Sequence, residues 1–142
     1  MAITYTNQIG TVMDSLEKLL EAEFNLPVSW DEPKGTESFV LTPDGDALVD
    51  LISGGQTRTY TITIRYVMSK PGKFENVKTH LTKRAERVKR LFAPDNYSNY
   101  SPSGSYKWHD ARISSIEYNQ DEENPEIKQS DILFECTVQE SS

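Results

Sequence analysis

A thiol, two imidazoles and a short group of aspartates are the residues through which this 142-residue sequence could do chemistry. Cys136 could serve as a nucleophile or metal ligand, but either role needs a neighbour that lowers its pKa. It alternates with Phe134 and Val138 at strand spacing, so a core thiol is expected. His80 and His109 stand alone, without HExxH, His-x-His or Cys-x-x-Cys spacing, which argues against a preformed zinc site. Asp44, Asp46 and Asp50 around Gly45 invite a calcium reading. The glycine falls too early for an EF-hand and no glutamate closes the loop, so a solvated hairpin turn is expected. Gly54-Gly55 lacks the Gly-Lys-Ser/Thr that lets a P-loop cradle phosphate, and reads as a hairpin connection. Asn96-Tyr97-Ser98 and Asn99-Tyr100-Ser101 fit the glycosylation pattern, which has no meaning in an unsecreted chain. With no nucleophile–base pair, metal set or cofactor fingerprint, the expectation is a non-enzyme with no cofactor.

Charge and tyrosine are then the distinctive features. A basic helix face carries Lys73, Lys78, Lys83, Arg84, Arg87, Lys89 and Arg90. It reads either as a solvated face or as a protein–protein contact. A single-strand nucleic-acid platform would need aromatics interleaved with the bases, and none are there. Residues 94–106 have neither helical nor strand period, and a structureless stretch of that length usually binds something or orders late, a merely flexible loop being the alternative. Tyr97, Tyr100, Tyr106 and Trp108 beside Ser, Asn and Gly give it the composition of a recognition surface. Lys83, Arg84, Arg87, Lys89, Arg90, Asp44, Asp46 and these four aromatics are the candidate contact residues.

The elements that must position them follow from hydrophobic period. Ile9, Val12, Met13, Leu16, Leu20 and Phe24 recur at three and four, predicting a helix from about Tyr5 to Phe24. Pro27 forbids its continuation. Short strands are expected at 28–30 and 39–41, the second closed by a Thr42-Pro43-Asp44-Gly45 turn with a return strand at 47–53. Residues 58–68 alternate strictly, with Tyr60, Ile62, Ile64, Tyr66 and Met68 on one face and threonines on the other. A second helix, about Phe74 to Phe92, carries the stripe Phe74, Val77, Leu81, Ala85, Val88 and Leu91 or Phe92. Strands at 107–118 and 131–140 close the chain. Ile113 and Ile116 differ in parity, which predicts a bulge between them. The order α-β-β-β-β-α-β-β predicts an α+β fold in which two helices pack on one face of a mainly antiparallel sheet of five to six strands, a single domain over 1–142.

Composition sets outer limits. Apolar residues make up 36% of the chain and the net charge is −7. Residues 1–56 carry −8 and residues 91–142 carry −7, while residues 70–90 carry +6. An acidic body with one basic segment argues against general DNA affinity and suits contact between copies of the chain. One cysteine excludes an internal disulfide, and a reducing cytoplasm is the expected folding compartment. No stretch is long and apolar enough for a membrane span, and residues 1–10 predict no secretion signal.

The leading helix, the Tyr60-Thr-Ile-Thr-Ile-Arg-Tyr strand and the basic helix ending in Leu91-Phe92 resemble a known family. So do Trp108-His-Asp-Ala-Arg-Ile-Ser-Ser-Ile-Glu-Tyr and, after an acidic loop, Ile132-Leu-Phe-Glu-Cys-Thr-Val. Over nearly its whole length the chain is similar to the tail terminator, or tail completion, proteins of long-tailed bacteriophages and gene-transfer particles. The resemblance implies a ring, typically a hexamer, in the virion tail or neck, made in the host cytoplasm. Such a ring caps the tail tube protein, stops its polymerisation, and offers a surface to the head connector or adaptor. It implies no catalytic residues and no membrane, with DNA passing the acidic lumen without specific binding. A head-side neck or head-completion protein, and a small ligand-binding module with the Tyr97–Trp108 loop as lid, are the alternatives.

Overall fold

The structure, a computed structural model, describes residues 7–52, 55–68, 77–93, 108–120 and 128–141. The first helix, α1, spans Gln8–Phe24. Asn7 caps it, its Oδ1 accepting from the Gly10 N–H at 3.2 Å and its carbonyl from the Thr11 N–H at 3.0 Å. A Cβ on Gly10 would lie 2.7 Å from the Asn7 side-chain amide, so a larger residue there would make the capping side chain shift. At the other end Asn25 turns left-handed (φ 56°) and its N–H bonds to the Glu21 carbonyl at 2.8 Å.

Five strands follow the order β1-β2-β3-β5-β4 across one sheet. They are β1 (Val28–Ser29), β2 (Glu37–Ile52), β3 (Gly55–Met68), β4 (His109–Gln120) and β5 (Lys128–Ser141), with α2 (Val77–Leu91) between β3 and β4. The four long strands are antiparallel to their neighbours, and β1 lies parallel to β2, making the sheet mixed.

One expectation is overturned here. The segment 39–52 is not two strands around a Thr42–Gly45 turn but part of a single strand, β2, paired along its length with β3. The Pro-Asp-Gly signal makes a bulge, with a register shift between Pro43 and Gly45 and a second between Leu48 and Asp50. Pro43 is tolerated because β1 covers only Phe39 and Val40, so the outer side of β2 at Pro43 needs no backbone donor. Gly45 takes φ 154°, a conformation that residues with a side chain rarely adopt. The element order is therefore α-β-β-β-α-β-β. By contrast, the parity change in β4 does mark a register shift, between Ile113 and Ser115, and it lets both Ile113 and Ile116 pack on the core.

Both helices send their stripes into one core on a single face of the sheet. Val12, Met13, Leu16, Leu20 and Phe24 of α1 and Leu81, Ala85 and Val88 of α2 meet Ile62, Ile64 and Tyr66 of β3 and Ile132, Phe134 and Cys136 of β5. Each such large apolar side chain contributes roughly 1.5–3 kcal/mol by leaving water. Within the core α1 lies against β1 and β2, and α2 against β3, β5 and β4. Phe74, expected in the second stripe, lies outside the described residues; Phe92 is the buried member of its C-terminal pair.

Candidate assembly surfaces

The basic face of α2 is less open than its sequence suggests. Arg84 turns inward, one terminal nitrogen donating to Glu37 Oε1 at 2.8 Å. Arg87 reaches across to α1, where its Nε meets Glu23 Oε1 at 2.9 Å and its guanidinium lies 4.7 Å from the centroid of the Phe24 ring. Lys89 and Arg90 share Glu86 one turn away, at 2.7 and 3.1 Å, and hold its carboxyl below the ordinary value. Exposed pairs of this kind add little stability. Lys78 and Lys83 remain exposed and make no ion pair with a described residue. Of the expected contact face, Arg84 is thus engaged by β2, Arg87 by α1, and Lys89 and Arg90 by Glu86 of α2 itself.

Glu37 is the centre of a cluster that sequence spacing does not reveal. Its Oε2 accepts from the Tyr66 hydroxyl at 2.5 Å and lies 2.8 Å from His80 Nε2, while Arg84 holds Oε1. A carboxylate can only accept, so the His80 nitrogen is the donor. Burial pushes Glu37 up, but the Tyr66 and His80 hydrogen bonds and the Arg84 charge outweigh it and keep the carboxyl below its ordinary value. Tyr66 is pushed strongly the other way, first by burial and then by its bond to Glu37. A base already saturated by three donors is poorly set to accept a substrate proton. The cluster pins α2 to β2 and β3.

The aspartates also find intramolecular partners. Asp46 pairs with Arg58 at 2.7 Å, and Asp44 accepts from the Thr63 hydroxyl. They stand on β2, not in a hairpin turn. Among the described residues no group of three metal-ligating side chains converges.

Trp108 is a second correction. It belongs to the core, 1% exposed, with its ring 5.6 Å from Phe134, and neither a recognition surface nor a lid can include it. Its position one residue before the Cα pairing of β4 begins, at His109 opposite Thr137, explains the misreading: the aromatic falls where loop composition gives way to strand. Tyr97, Tyr100 and Tyr106 lie outside the described residues.

The surface that sequence reasoning missed is the outer half of the β2–β3 hairpin. Leu48, Val49 and Leu51 are 49%, 59% and 71% exposed. Direct pairing puts Leu48 opposite Arg58 and Leu51 opposite Gln56, on the same side of the sheet as Tyr60 and the helices but past their reach. The signal was present in Ala47-Leu48-Val49-Asp50-Leu51-Ile52, where apolar residues of both parities ignore the sheet's two faces. Among the described residues the opposite face of the sheet bears no helix and carries several charged pairs. There Arg65 meets Asp131 at 2.8 Å, Arg112 meets Glu135 at 3.2 Å, and Thr63, Ser115, Glu117 and Leu133 line a shallow depression.

No protein-family model matches the chain, and no curated protein does. Among solved structures it is similar to a chain of one described as "Virion of native gene transfer agent (GTA) particle", at 14% sequence identity and a TM-score of 0.54. That alignment covers 94% of this chain and 95% of the other, so the two share a fold from end to end.

Proposed function

We infer that this protein is a structural component of a phage-like or gene-transfer particle. Within such a particle it acts as the ring that ends the tail tube and offers the joining surface to the head. The observation that carries the reading is the end-to-end likeness to a chain of a gene-transfer-agent virion. The finer assignment to the tail terminator rests on the element order and on the strand and helix sequences that resemble that family. The ring contains several copies of this chain, contacts tail tube protein on one side and connector or adaptor on the other, and performs no chemistry. The acidic body repels phosphate, so DNA traverses the lumen without being held.

Pull-down separates the possible places in the particle. A tail terminator retains purified tail tube protein, and a head-side neck protein retains the connector alone. Retention of neither contradicts both assignments.

A further inference from the structure

The two outer edges of the sheet are unlike each other, and each suits the other on a second molecule. At one end, β1 covers only Phe39 and Val40, so β2 from Thr42 to Leu51 has no strand on its outer side among the described residues. At the other end β4 has β5 on one side and no described strand on its outer side. Unpaired strand edges present rows of backbone donors and acceptors that favour addition of another strand. The β2 edge also exposes Leu48, Val49 and Leu51.

Direction and charge select the pairing. Because β2, β3, β5 and β4 alternate in direction, β4 runs opposite to β2. A second copy placed beside the first by rotation about an axis along the strands therefore brings β2 next to β4 in antiparallel order, without inversion. The β2 end of the molecule is acidic: α1 above it carries Asp14, Glu17, Glu21 and Glu23 against Lys18 alone. Burial first, and then the charges of Glu21 and Asp14, raise the Glu17 carboxyl, and Lys18 on Asp14 and Arg87 on Glu23 offset only part of the acidity of this flank. The β4 end lies under α2, which keeps Lys78 and Lys83 exposed without a described ion-pair partner. β4 itself carries Asp110 and Glu117 against Arg112, so the positive charge at this end comes from α2. Two β2 edges would place acid against acid, whereas unlike edges bring the acidic α1 and β2 toward the lysines of α2.

We propose that copies of this chain join head to tail, the open edge of β2 pairing with the outer edge of β4 in the next copy so that the sheet continues across the junction. Such a contact uses two different surfaces and closes into a ring when its rotation allows. Pro43 and the two β2 bulges disfavour flat, unregistered pairing and suit a sheet that curves as it closes. The proposal rests on the ring reading above and assigns its subunit interface.

Cross-linking tests it. Thr42 and Ser115 are exposed and stand level across the sheet, through Thr63 and Leu133, so in adjoining copies they face each other across the junction. Cys136 is fully buried, with burial pushing its thiol up to about 12, so it gives no background in the folded protein. A Thr42→Cys/Ser115→Cys double variant treated with a short bis-maleimide should give a ladder of covalent multiples, while each single variant stays at one-chain mass. Covalent dimers from a single variant would show like edges meeting and overturn the proposal. Absence of a ladder in a sample that light scattering shows to be oligomeric would also overturn it and leave the ring reading standing. A sample that stays monomeric even with tail tube protein would overturn both.

Discussion

Glu37 is the residue on which the internal electrostatics turn. Three donors from β3 and α2 converge on its carboxylate. Its folded carboxyl sits below the ordinary 4.5, so ionisation favours the native state. That stabilisation is fully present above the unfolded value and is lost as pH falls through the folded one. Glu37→Gln keeps the shape but turns one acceptor into a donor facing donors, and should cost roughly 1–3 kcal/mol at neutral pH. Denaturant unfolding of both proteins should show the gap closing below pH 4.5; a gap independent of pH would contradict the account. Trp108 poses a different residue-scale test. Trp108→Ala empties a fully buried site against Phe134 and should cost roughly 3–5 kcal/mol, read as a lowered Tm. Neither position was legible as such. Glu37, Tyr66 and His80 are far apart in sequence, and Trp108 borders a segment rich in Tyr, Ser and Asn that reads as surface.

The regular elements were far more readable than these meetings of side chains. The α1 stripe and the β3 and β5 alternations each report burial on one face, and period alone carries that information. The bulge in β4 was legible for the same reason, since a change of parity has few other causes. What failed was β2, because Pro-Asp-Gly has two uses, a turn or an edge bulge, and only the neighbouring strands decide between them. The same lack of context hid the exposed hairpin: Leu48, Val49 and Leu51 look like core until the helices prove not to reach them. If that hairpin is an assembly surface, Leu48→Asp/Leu51→Asp should leave the chain's own stability within about 0.5 kcal/mol. It should nevertheless abolish self-association. Thermal melts and sedimentation measured together check both halves; a large fall in Tm would show that these leucines serve the fold instead.

For the molecule as a whole, among the described residues the acidic elements α1 and β2 stand apart from the basic helix α2. The Glu37 cluster is engaged internally, while Ser130 Oγ is buried without a partner among the described residues. The acidic α1 and β2 occupy one end of the sheet and the basic α2 overlies the other. Composition announced the imbalance between residues 1–56 and 70–90, but only the topology shows that the two blocks flank opposite edges. On the proposed edge pairing, unlike charges meet between copies, and that gain should weaken as salt screens it. The central claim is that the chain functions as part of a ring, and multi-angle light scattering tests it most directly. Measured over rising concentration, alone and with purified tail tube protein, the 16.2 kDa chain should reach a discrete mass that is a small multiple of its own, with a hexamer expected. A mass that remains that of one chain under every condition would contradict it.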